Sequence, residues 1–215
     1  MMVAVELLVI AKEPVPGRSK TRLSPPLTPA QAAALAEAAL ADTLETVART
    51  EARRRTLVLE GSPGDWLPAG FDVVPQTDGG LDARLAAAFA ATRGPALLVG
   101  MDTPQITVEL LESAIGLLGE ETNDAVLGPA EDGGWWAIGL TTPSPEVFLS
   151  VPMSTDGTCA AQIARLESLG LRWAELPTLR DFDLIEDARA VASGNPDLRF
   201  SARLREMEAE CTPAG

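Results

Sequence analysis

The chain contains no histidine. That absence excludes a Ser-His-Asp triad, a Cys-His pair and any histidine-ligated metal. A metal held by this protein must sit among oxygens, which favours hard cations such as Mg²⁺ or Mn²⁺. Cysteine is almost as scarce: Cys159 and Cys211 are the only two. Two give neither a disulfide framework nor a zinc-ligand spacing, and they fit a reducing cytoplasm. No apolar stretch approaches the ~18 residues needed to span a bilayer. The apolar start, Met1 to Ala11, is interrupted by Glu6 and runs into Lys12-Glu13-Pro14. It lacks a basic n-region and a small-residue cleavage site, so no signal peptide is expected and the expected location is the cytoplasm. Positive charge is in deficit, with 17 basic against 31 acidic residues and a net charge of −14. Such a balance argues against nucleic acid or an anionic membrane as partner, and an anionic ligand would need a local basic site.

What is present suits one ordinary domain with a real core: 215 residues, 46% of them hydrophobic. The expected domain covers residues 1–210, with a loose tail at 211–215. The run VAVELLVIA, residues 3–11, reads as a buried strand. A helix is expected from Pro29 to about Thr50, because Thr28 is a good N-cap, Pro29 suits the first helical position and Gln31 completes a capping box. Further strands are expected at 55–60, 71–74, 96–101, 125–128, 135–140 and 172–176. Helices are expected at 81–92, 107–118 and 158–169, and two more within 184–210. This alternation predicts an α/β fold, a three-layer α/β/α sandwich on a mostly parallel sheet, with ligands at the carboxyl ends of the strands.

Only two of the 17 basic residues are lysines, Lys12 and Lys20. Both lie in AKEPVPGRSKTRL, directly after the first strand, and Arg18 and Arg22 join them. An ammonium is a compact point charge suited to phosphate oxygens, and Gly17 lets backbone approach a ligand. The loop is not a Walker A motif, since Pro14 and Ser19 stand where that motif needs glycine. A phosphate-binding loop and a solvated basic loop both fit this pattern.

Asp102 closes the apolar strand in LLVGMDTPQ, where a metal–phosphate complex would be held or where an aspartate would cap a turn. Asp181 and Asp183, in LRDFDLIEDA, fit a second carboxylate for the same cation or N-caps for the helix after Leu184, and Asp183 by itself reads as a cap. Glu131-Asp132-Gly133-Gly134-Trp135-Trp136 fits a plain hairpin turn. The indole pair adds a second reading, in which one ring faces the core and the other walls a substrate pocket. Ser154, Thr155 and Asp156 read as a capping segment that also offers hydroxyls.

The motifs AKEPVPGRSKTRLSPPLT, QTDGGLDARL, LVGMDTPQ, GPAEDGGWWAIGL, PMSTDGT and LRDFDLIEDA occur in this order. Over residues 3–190 the chain resembles the GT-A-fold, nucleotide-diphospho-sugar transferase-like family that includes glycosyltransferases assigned to arsenosugar biosynthesis. 2-Phospholactate and molybdenum-cofactor guanylyltransferases share that fold. The resemblance implies a nucleotide bound through Ala11, Lys12, Gly17, Lys20, Thr21 and Arg22, with Gln76 and Arg84 from the second motif. It implies Asp102 and Asp183 as ligands of Mg²⁺ or Mn²⁺. An acceptor is implied beside Asp132, Gly133, Gly134, Trp135, Ser154 and Thr155, and the catalytic group would be Asp102, Lys20 and Asp132. The chain departs from the family at Gly80 and Asp82, where Asp and Gly are usual, at Trp135, where Tyr is usual, and at Met153, where Trp is usual.

Three activities follow as expectations. The first is a metal-dependent glycosyltransferase joining a sugar from a nucleotide-sugar to a small-molecule acceptor. The second is a nucleotidyltransferase acting on a nucleoside triphosphate and a phosphorylated acceptor, with release of pyrophosphate. The third is a non-catalytic nucleotide-binding protein.

Overall fold

The computed structural model describes residues 4–211. Its strands are β1 (Glu6–Lys12), β2 (Arg54–Glu60), β3 (Asp72–Pro75), β4 (Ala96–Val99), β5 (Ala125–Pro129), β6 (Trp135–Leu140) and β7 (Trp173–Glu175). The helices are α1 (Pro29–Arg49), α2 (Leu81–Ala90), α3 (Val108–Leu118), α4 (Thr158–Ser168), α5 (Ile185–Gly194) and α6 (Arg199–Cys211). The first strand starts later than the apolar run, at Glu6, and Val3 lies outside the described residues. So do residues 212–215 of the expected tail, whereas Cys211 ends α6. No helix among the described residues is long and apolar enough to cross a membrane.

The strands form one seven-stranded sheet in the order β3-β2-β1-β4-β6-β5-β7. Every pairing is parallel except those made by β6, which runs antiparallel to both β4 and β5. Side chains alternate across the sheet as the pleat requires. Leu7, Val9 and Ala11 of β1 join one core with α1 and α3, while Leu8 joins another with α2 and Phe148. These faces make the three layers. A third cluster lies behind α1, where Leu35 and Ala39 meet α5, α6 and Phe182. Helix α1 is therefore buried on two sides, which its alanine-rich composition allows because small side chains let neighbours come close.

The predicted cap of α1 forms: Thr28 Oγ1 accepts the Gln31 N–H, and Gln31 Oε1 accepts the Thr28 N–H. A different device starts α6. Asp42, buried on α1, accepts the backbone N–H groups of Arg199 and Phe200 at 3.2 and 2.9 Å. Removing this acceptor leaves two helix-start donors unsatisfied. Asp42→Ala is expected to lower stability by about 1–3 kcal/mol, read as a shifted denaturant midpoint. An unchanged midpoint would show that water replaces the carboxylate without loss.

Candidate functional site

A cavity of about 550 Å³ opens at the carboxyl edge of the sheet. The strand order lays out its wall. Gln76, past β3, and Arg84 of α2 stand at one end, and Lys12 follows at the tip of β1. Asp102 comes next, after β4, and then Asp132, Gly134 and Trp135 from the β5–β6 hairpin. The reversed direction of β6 matters here, because it brings the first residue of that strand to the edge where the parallel strands end. Met153, Ser154 and Thr155, just before α4, line the same space.

The basic end is organised by one carboxylate. Parallel register sets Lys12 opposite Glu60, and Glu60 also bonds Arg84 and lies 4.0 Å from Arg18. First Arg84, then the other cations, hold the Glu60 carboxyl below its ordinary pKa despite some desolvation. Gln76 braces this end by donating to the Ala11 and Val58 carbonyls at 2.8 and 3.2 Å and accepting from Arg84 at 3.0 Å. Three cations around one acid leave a net positive corner.

Lys20 adopts a different position from a loop cation reaching into solvent. Its backbone is left-handed, φ 47°, and its side chain is only 9% exposed. The ammonium lies 2.9 Å from Asp102 Oδ1 and 2.7 Å from Asp183 Oδ1, and 4.4 Å from the centroid of the Phe182 ring. Burial by itself would depress the Lys20 pKa, but Asp102 and Asp183 outweigh it and hold the ammonium above its usual value. Asp183, pushed up by burial, is held below its usual value by Lys20 and then Arg22. The cap reading of Asp183 is thus corrected: its carboxylate serves Lys20 and Arg22, and Asp187 accepts the Leu184 N–H at the start of α5. The 179–183 segment is tied beside β4 and β5, with Phe182 N–H donating to the Asp102 carbonyl and Gln105 donating to the Arg180 carbonyl.

Of the residues expected to contact a nucleotide, Ala11, Lys12, Gln76 and Arg84 line the cavity. Gly17, Lys20, Thr21 and Arg22 are not part of its lining. Lys20 is drawn away by the two carboxylates, and Gly17 forms an exposed turn at φ 75°. At the other end Asp132, Gly134, Trp135, Ser154 and Thr155 all line the space. Gly133 instead packs against the entrance of α4, and its carbonyl accepts the Cys159 N–H at 2.8 Å. The two indoles take opposite faces, as expected. Trp136 is buried in the core beneath α3 and donates to the Pro177 carbonyl at 2.9 Å, Trp135 packs against the core on the other face, and both border the cavity.

Thr103 is a wall residue that was not singled out in the sequence, and burial adds a property at Asp181 and Trp135 that the sequence did not show. Asp181 lines the cavity, and burial, followed by nearby Asp132, raises its pKa to about 6 against the pull of Lys20. Thr103 Oγ1 and Trp135 Nε1 are buried polar atoms without a partner, both on residues of the cavity wall. Buried donors of this kind are usually satisfied, so they suit a polar ligand. The position of Thr103 directly after Asp102 was the available signal.

Residues 31–155 match a family described as "Uncharacterized protein conserved in bacteria (DUF2064)". No curated protein matches the chain. Among solved structures, a provisionally named nucleotide-diphospho-sugar transferase from Desulfovibrio desulfuricans G20 is 26% identical, with a TM-score of 0.85 and 96% of each chain covered. A cytidylyltransferase from Leptospira borgpetersenii is 14% identical, with a TM-score of 0.58 over 97% of this chain and 93% of its own. Glucosyl-3-phosphoglycerate synthase from Mycobacterium tuberculosis, solved with Mn²⁺, UDP and phosphoglyceric acid, is 15% identical, with a TM-score of 0.53 over 83% of this chain and 69% of its own. The fold is that of the nucleotide-diphospho-sugar transferases.

Proposed function

The chain belongs to the DUF2064 family, and from that premise we propose that it is a transferase that moves a glycosyl group from a nucleotide-sugar to a small-molecule acceptor. One observation carries the reading. A single cavity has a cationic end, Lys12 and Arg84, and an aromatic and hydroxyl-bearing end, Trp135, Ser154 and Thr155, with Asp102 between them along the sheet edge. The overall likeness to the Desulfovibrio structure supports the choice of a nucleotide-sugar donor.

In this reading Lys12 and Arg84 neutralise the nucleotide phosphates through charge-assisted hydrogen bonds. Trp135 gives a flat apolar wall for a sugar or acceptor face. Asp132, whose Oδ1 is anchored by the Gly134 N–H at 2.7 Å, uses Oδ2 to orient the attacking hydroxyl and take its proton. Ser154 and Thr155 supply acceptor-side hydroxyls. Lys20, paired with Asp102 and Asp183, and Arg22, paired with Asp183, are further charge for the departing nucleoside diphosphate.

A divalent cation fits one place in this arrangement. The Lys20 ammonium is a stand-in cation there, because oxygens of Asp102 and Asp183 converge on it. Hard oxygen donors suit Mg²⁺ or Mn²⁺. Among the described residues no group of three or more acidic or cysteine side chains could hold a metal, so phosphate oxygens and water would complete the shell, as is usual for Mg²⁺. When bound, the ion would supply Lewis-acid stabilisation of phosphate charge.

The test is ligand binding by thermal shift and calorimetry, using nucleotide-sugars and nucleoside triphosphates with and without Mn²⁺. A ligand at ~100 times its Kd adds roughly 2.7 kcal/mol of stability. The expected result is saturable binding of a nucleotide-sugar. Preference for a triphosphate moves the activity to nucleotidyl transfer, and no binding of either class defeats the transferase reading.

A further inference from the structure

We propose that Lys20 and a divalent cation compete for the same pair of carboxylates, so that Lys20 keeps the metal out of the nucleotide-free protein. The inference rests on the transferase reading for the identity of the cation, and on geometry for the rest. The ammonium stands 2.9 and 2.7 Å from Asp102 Oδ1 and Asp183 Oδ1. These are contact distances, so a divalent ion bound to both oxygens would share its space with a like charge in a site where Lys20 is 9% exposed. Coulomb repulsion at such a separation is poorly screened. One of the two must leave.

Three features show that Lys20 is held there by construction. The Phe182 ring lies under the ammonium. The backbone of Lys20 takes a left-handed conformation, uncommon for a residue with a Cβ, which sets the direction of its side chain. Phe182 and Asp102 are joined by a backbone hydrogen bond of 3.2 Å, which keeps both carboxylates on one cation. Two carboxylates are a small ligand set for a metal alone. They bind it weakly until a nucleotide adds phosphate oxygens, and those oxygens also offer Lys20 a new partner. The exchange thus couples metal entry to nucleotide arrival: the ammonium transfers from carboxylate to phosphate as the ion takes its place.

The experiment titrates Mn²⁺ into the nucleotide-free protein and follows the free-ion signal by electron paramagnetic resonance. Lys20→Met is expected to bind Mn²⁺ about ten- to hundredfold more tightly than wild type, the scale of a charge-assisted contact. Adding Asp102→Asn to Lys20→Met is expected to abolish that gain. Lys20→Gln serves as the second variant if the methionine protein does not fold. Equal Mn²⁺ affinity in wild type and variant overturns the proposal, as does a gain that survives Asp102→Asn. In wild type, a panel of nucleoside diphosphates is expected to raise Mn²⁺ affinity. If none of the panel binds with or without Mn²⁺, the transferase reading fails, while the comparison without nucleotide still decides the competition.

Discussion

Lys20→Ala is expected to weaken nucleotide binding about ten- to hundredfold at saturating Mn²⁺, the effect of losing one charge-assisted contact, and to lower the melting temperature of the metal-free protein as well. The second effect follows from the ion pairs. Removing the ammonium leaves Asp102 and Asp183, 45% and 41% exposed, facing each other without their common counter-ion. Breaking a fully buried pair by removing one partner costs about 3–5 kcal/mol, but these carboxylates are reached by water, so about 1–3 kcal/mol is the expected loss. At roughly 2–4 °C per kcal/mol for a chain of this size, the shift is readily measured by calorimetry. Lys20→Arg should restore little of either property, because a planar guanidinium does not fit a point-charge position over Phe182. Wild-type melting in Lys20→Ala would show that the two contacts carry no stability. Wild-type nucleotide affinity would remove Lys20 from the binding site.

The other large effect is expected at the hairpin glycines, and it falls on Gly133 rather than on Gly134. A Cβ on Gly133 would lie 2.0 Å from the Asp156 carbonyl oxygen, and the residue sits at φ 88°. Both conditions penalise any side chain. Relief requires moving the Ser154–Asp156 turn or the hairpin, and both border the acceptor end. Gly133→Ala should therefore cost about 2–4 kcal/mol in stability and reduce turnover by more than tenfold, while nucleotide affinity changes little. Gly134→Ala is the internal control. Its Cβ would meet only the flexible Asp132 carboxylate, at 3.0 Å, so its melting temperature should stay near wild type. Steady-state kinetics beside calorimetric nucleotide titration separates the cases. A fall in nucleotide affinity as large as the fall in turnover would place the hairpin at the donor end or in the fold alone.

Local rules were readable in the chain wherever local rules decide. The α1 start at Thr28-Pro29-Gln31 is one such case, and the alternation of β1 between two cores is another. The carboxyl-edge position of Lys12, Asp102 and Trp135 followed from the expected strands. The antiparallel turn from β5 into β6 was readable from its Asp-Gly-Gly segment, but the insertion of β6 between β5 and β4 was not, because its pairing with β4 joins strands about 40 residues apart. The turning of Lys20 toward Asp183 was hidden as well, since that contact spans 163 positions and depends on closing the 179–183 segment over β4. Asp183 beside a helix start looks like a cap in one dimension. The role of Glu60 needed the register of β1 on β2 before it placed an acid opposite Lys12. Asp181 gained its significance from burial, which no local pattern marks.

Phe182 links the cation site to the far side of the molecule. Its ring lies 4.6 Å from that of Phe200 on α6, and Lys20 rests on it. The ring is fully buried in the cluster that α1, α5 and α6 share. The terminal helix is thereby the floor on which the site's counter-ion stands, although no α6 residue lines the cavity. Fraying or trimming of that helix, or a fusion that strains it, would loosen the floor and let the ammonium wander. Amide exchange along α6 should accordingly report on ligand occupancy of a cleft it never touches.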